Sequence, residues 1–180
     1  MSEAPAPERF RQVFDLLERH IEKRYGIPVV LADVADPFTG DLDGAEIKVD
    51  WRNEPEDALF ILVHLFGHTV QWNVDPAARE LGSSVEANPT PEKIDALEKY
   101  EVEAARYSLQ LMHEAGVHDL DGWLADFSSC DFAYLKNFYE KGEKLDFRSF
   151  WKTGATRLEP LPIPAFRPER WKARWDGIVI

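Results

Sequence analysis

The stretch "LFILVHLFGHTVQW", Leu59 to Trp72, constrains this chain more than any other. A buried strand uses an apolar run of roughly 4 to 8 residues, and this run is longer, so it reads as a helix. Asn53 is placed to cap it, Pro55 falls in its first turn, and Glu54, Glu56 and Asp57 complement its dipole. The helix should continue to about Asn73. Because it is apolar on nearly every side, it belongs at the centre of a domain, with other elements packed around it. Yet it carries His64 and His68. Residues four apart on a helix sit about 40° apart on one face, so both rings point the same way and can converge on one ion.

The rest of the chain supplies the packing partners. Phe10, Val13, Phe14, Leu17, Ile21 and Tyr25 follow helical spacing from Pro7 to Tyr25, and Gly26 with Pro28 ends the pattern. "IPVVL" at Ile27 to Leu31 is short and β-branched. Ala45, Ile47, Val49 and Trp51 alternate with polar residues as a half-buried strand does, and "DPFTGDLDG" between them is turn chemistry. Thr90 and Pro91 open another helix that runs to a Gly116 stop. "DGWLADFSSCDFAYLKNFYEKG" reads as a further long helix and "FRSFW" as a short one. After Thr156 four prolines exclude a helix until the last turns, and the apolar residues of that tail suggest that it lies along the body.

The fold class expected is therefore α+β, mainly helical with a few short strands. Its 180 residues suit one domain, divided as a disordered start (1–7), a core (8–116), additional helices (117–156) and an extended Pro-rich tail (157–180). A formal charge of -12 repels phosphate backbones and anionic lipid surfaces, which argues against nucleic acid and membranes as partners. Cys130 is the single cysteine, so no internal disulfide is possible and a reducing cytoplasm fits best. The arginine-containing tail, with Arg157, Arg167, Arg170, Lys172 and Arg174, is expected to dock on the acidic body, anchored by Trp171 or Trp175.

The functional reading rests on what surrounds the histidines. A catalytic zinc uses three protein ligands and an open position, so one ligand is missing from the histidine helix. The next helix offers Glu101 and Glu103 in "YEVEAARYS", with Ala104 and Ala105 small enough to let the helices approach. Two residues apart is about 200° around the axis, so one glutamate can face an ion while the other is solvated or supports a ligand. A plainer reading leaves the histidines as core residues bonded to backbone carbonyls and pairs Glu101 with Arg106 or Lys99. Cys130 reads as a buried small hydrophobe. His113 and His118 read as helix-end residues, and Trp72, Tyr100 and Tyr107 as core or groove lining.

"HLFGHTVQW" followed by "EVEAARYSLQLM" resembles the gluzincin metallopeptidases, specifically the small ImmA/IrrE-like group, whose pattern is HExGH and then ExEA. The resemblance covers about Ile27 to Met112. It implies a zincin-like minigluzincin domain with a small β-meander, and His64, His68 and Glu101 as ligands of a Zn2+ ion, with Glu103 in a supporting place. One departure weighs on activity. Leu65 stands where the family carries the glutamate that takes the proton from the metal-bound water, and a lost general base forfeits ~10²- to 10⁴-fold in rate. Ala105 also replaces the polar residue that follows the family's alanine. Three classes follow: a hydrolase whose base comes from elsewhere, for example Glu103 or an acid in the last third of the chain; a pseudopeptidase that binds a peptide or protein partner; and a non-haem Fe2+ site, which the same donor set suits. The second is preferred.

Overall fold

A computed structural model describes residues 5–84 and 88–171. In chain order the elements are α1 (Pro7–Tyr25), β1 (Val29–Ala32), β2 (Gly40–Leu42), β3 (Ile47–Asp50), α2 (Pro55–Val74), α3 (Pro76–Ser83), α4 (Pro91–Glu114), α5 (Asp121–Lys141) and a 3-10 turn, Phe147–Phe150. The architecture is α+β and mainly helical, with one small sheet.

The centre is α2, in which every residue from Leu59 to Trp72 is buried. Around it pack α1, α4 and the sheet. On α1 the buried residues are Phe10, Val13, Phe14, Leu17 and Ile21, each contributing ~1.5 to 3 kcal/mol by leaving water. Gly26 closes that helix at φ 66°, a left-handed conformation that glycine adopts without the steric cost of a Cβ. Pro7, placed by the sequence reading in the disordered start, is already helical with Ala6 as N-cap, and residues 1–4 lie outside the described part.

The sheet is not a meander. Its order is β1-β3-β2, with β1 parallel to β3 and β2 antiparallel to it. The third strand lies inside "DPFTGDLDG", which reads locally as turn. It becomes a strand by pairing antiparallel with β3, and the missing side chain at Gly40 lets it approach Ile61 and Leu65, which a Cβ there would meet at 2.6 and 2.7 Å. Asp50 ends β3 and fastens the preceding loop. Its carboxylate is 3% exposed and accepts from Arg52 Nη2 (2.8 Å), from Arg52 Nε (2.9 Å) and from the Val34 backbone N–H (3.0 Å). The Arg52 side-chain bonds hold this carboxyl far below the usual carboxylate range.

Two helix starts differ from their sequence reading. The N-cap of α2 is Glu54, not Asn53, whose side-chain amide instead donates to the Thr39 carbonyl at 2.9 Å. After Asn73 comes α3, to which the sequence reading assigned no element; there Asp75 accepts from the Ala77 N–H and Pro76 holds the first position. Thr90 does cap α4. At the other end of α4, His113 Nε2 lies 2.9 Å from Asp121, and the His113 and His118 rings are 4.3 Å apart, which joins α4 to α5. Cys130 on α5 is buried, its Sγ 3.5 Å from the Phe147 carbonyl, and burial pushes its thiol up to about 11.

Residues 151–171 form neither helix nor strand, and Leu158, Leu161, Ile163, Phe166 and Trp171 are partly buried against the core. The Leu161 N–H donates to the Arg106 carbonyl (3.2 Å) and Arg106 Nε donates to the Glu159 carbonyl (2.8 Å). Further on, Arg170 pairs with Asp43 at 2.8 Å, and the Arg79 guanidinium stacks 3.7 Å over the Trp171 ring. Trp175, Lys172 and Arg174 lie outside the described residues. Among the described residues no helix is long and apolar enough to cross a membrane.

Candidate metal centre

The site depends on how closely α2 and α4 approach. A Cβ on Gly67 would fall on the Ala104 carbonyl oxygen, with the carbonyl carbon 2.8 Å away, so the absence of a side chain at 67 sets the contact distance. Two turns of α4 are thereby pressed onto α2. Ser108 then bridges the two backbones, its hydroxyl 2.7 Å from the Val63 carbonyl and 2.9 Å from that of Ala104.

This contact brings His64, His68 and Glu101 together. One ligand atom from each lies within 4.8 Å of the others. Glu101 Oε2 is 3.2 Å from His68 Nε2 and 3.9 Å from His64 Nε2, and the two imidazoles stand at 90° with centroids 4.5 Å apart. Ligands at about 2.0–2.2 Å around a tetrahedral zinc are separated by roughly 3.3 Å, so this spacing is close to that of a coordination sphere. Both rings are held in place by aromatic neighbours. Tyr100 stacks on His68 at 4.4 Å and Phe60 stacks on His64 at 5.3 Å. Tyr100 is itself fixed by Trp72, whose indole N–H donates to its hydroxyl at 3.0 Å.

A hydrogen-bond relay determines what His68 offers. The Gln71 amide nitrogen donates to Glu103 Oε1 (2.9 Å) and to the Tyr100 carbonyl (2.9 Å). Both partners are acceptors, so the Gln71 oxygen must be the atom 2.8 Å from His68 Nδ1, and Nδ1 must carry the hydrogen. That commits the lone pair of the neutral ring to Nε2, which faces a carboxylate oxygen. Two acceptors face each other across 3.2 Å, an arrangement that a cation between them, a proton or a metal ion, makes favourable. The donor set fits a divalent ion. His68 is fully buried and His64 is 7% exposed, so the plain reading of histidines bonded to backbone carbonyls is not the one found for His68. Arg106, weighed as a partner of Glu101, directs its Nε to the Glu159 carbonyl.

The remaining candidates fall elsewhere. Leu65 is fully buried on the side of α2 that carries Gly40 of β2, and it does not line the cavity beside His64. Glu103 sits behind His68 at the far end of the Gln71 relay, not on the Nε2 side, so it supports a ligand and is poorly placed as a substitute base. Ala105 lines the cavity.

That cavity, about 740 Å³, opens beside His64 and Glu101 between α4, α5 and the segment 154–159. No residue of the sheet lines it. Sequence reasoning missed Gln71, although it stands three residues after His68 within the same motif and so on the same face. It looked to an acid in the last third of the chain without singling out Asp131, a carboxylate only 5% exposed that lines the cavity from α5. No protein-family model, curated protein or solved structure matches the chain.

Proposed function

We propose that this protein is a gluzincin-like, metal-binding domain of the ImmA/IrrE type, cytoplasmic, in which His64, His68 and Glu101 hold one Zn2+ ion and the proteolytic role has been lost in favour of binding or regulation. The observation that carries the reading is the three-atom cluster with its His68–Gln71–Glu103 relay, because that relay directs the Nε2 lone pair at the point where the other two ligands converge. A bound ion would supply a Lewis-acidic centre. Everything else falls to the chain: the relay orients His68, Phe60 and Tyr100 hold the two rings, and the cavity beside His64 admits the bound partner's group.

The loss of peptidase chemistry is supported by position 65, where an apolar residue is packed against β2, and by Glu103 being tied to Gln71. An extended peptide is also poorly served, since such chains take their main-chain hydrogen bonds from a strand edge and the cavity has none. A peptide or protein partner would therefore engage it through a short polar group. The two-histidine, one-carboxylate set equally suits Fe2+, so the identity of the ion is part of the test.

Metal analysis of protein purified without an affinity tag should find one equivalent of zinc. His64→Ala and Glu101→Ala should each lose it while remaining folded. Unchanged metal content in either variant would overturn the ligand assignment, and iron in place of zinc, with spectral changes on adding oxygen, would favour the redox reading.

A further inference from the structure

Resting on that metal reading, we propose that Asp131 is the residue that recognises whatever occupies the ion's open position, accepting a hydrogen bond from its N–H or O–H. The geometry of the cavity leads to it. His64 and Glu101 line the cavity whereas His68 is sealed behind Tyr100, so the open side of the cluster is the one that looks toward α5. Four carboxylates border this space: Glu98, Glu101, Asp131 and Glu159. Glu101 is the ligand, and Glu98 and Glu159 are exposed. Asp131 is the buried carboxylate on the α5 side of the cavity that His64 and Glu101 also line.

Its position also defines its task. Asp131 stands outside the group of three whose ligand atoms lie within 4.8 Å of one another, so it is not a fourth member of the coordination set. A carboxylate that borders the same cavity without belonging to that group can accept a hydrogen bond from the bound molecule. Leu65 cannot do this from α2, and the acid comes instead from a helix that follows in the chain. The occupant implied is a small polar molecule, or a terminal polar group, that presents a metal-binding oxygen and a neighbouring hydrogen-bond donor. The serine hydroxyls of Ser128 and Ser129 on the same wall suit such a polar occupant.

Acetohydroxamate has both features and serves as the probe. Its affinity for the zinc-loaded protein is measured by calorimetry in the wild type and in Asp131→Asn, alongside zinc affinity by chelator competition. Replacing the charged acceptor by a neutral amide oxygen should weaken acetohydroxamate about tenfold, with zinc affinity held within about threefold. Equal acetohydroxamate affinity in the two proteins overturns the role of Asp131. So does a loss of zinc affinity of about 10- to 100-fold, which is the signature of a group that merely supports a ligand. If Asp131→Asn does not fold, Asp131→Glu retains the charge and moves it by one methylene; it should still change acetohydroxamate affinity at least about threefold, and no change there overturns the proposal. Failure of the wild type to take up zinc at all is a different result, and it removes the metal reading itself.

Discussion

His64 and Leu65 are neighbours in the chain and belong to different structures. On one face of α2, His64, Gly67 and His68 meet α4 across a contact in which a glycine sets the distance and polar atoms converge. On the other, Ile61 and Leu65 meet Gly40 of β2 in a contact that is entirely packing. Each face depends on one glycine that lets a neighbour come close, in the helix for α4 and in the strand for the sheet. The difference lies in what each side chain meets: His64 has a Glu101 carboxylate oxygen at 3.9 Å, and Leu65 has the bare backbone of Gly40.

The comparison breaks most severely at Gly67. Gly67→Ala puts a methyl group onto the Ala104 carbonyl, so α4 must shift, and overpacking of this kind costs ~3 kcal/mol. Stability in urea should fall by that amount and zinc should be lost with it, since Glu101 moves with α4. Retained zinc at wild-type stability would show that the close contact does not position the ligand. Leu65→Glu tests the other face. A carboxylate there is buried against the sheet, and a loss of ~1 to 3 kcal/mol is expected with zinc retained and no peptide hydrolysis gained. A gain of metal-dependent hydrolysis would mean that position 65 reaches the ion after all. The smallest effect belongs to Glu103→Ala, which removes an acceptor from Gln71 without touching a ligand. Zinc should bind about tenfold more weakly and the fold should persist. An unchanged affinity in chelator competition would show that the relay does not hold His68.

Much of this was legible in the chain. The i, i+4 histidines fix their own common face, and Thr90, Pro91 and Gly26 carry their structural meaning locally, so α1, α4 and the ligand pair follow from sequence. Glu101 and Glu103 also divide as their spacing requires, one toward the histidines and the other to a supporting bond. What was not legible depends on contacts between distant segments. β2 is a strand because it pairs with β3 and lies against α2 at Gly40, and nothing within "DPFTGDLDG" expresses that. Asn53 loses the capping role because the Thr39 carbonyl is within reach of its amide. Asp131 is unremarkable in "FSSCDF" and acquires its interest only once α5 is laid beside α4. The short α3, by contrast, carried a usable signal in Asp75 and Pro76, a cap followed by a first-turn proline.

Cys130 gives the molecule a clock of its own. Thiolate is the reactive form, and a thiol raised to about 11 and closed in beneath the Phe147 turn reacts with an alkylating reagent at neutral pH almost entirely through conformations that open. As the chain's single cysteine it labels once, at one place, without any engineered residue. It stands next to Asp131 on the helix that walls the cavity. The labelling rate in the folded protein therefore measures how often α5 and the turn over it part from the body. Compared with the rate of global unfolding, it tells whether the cavity wall breathes independently of the rest.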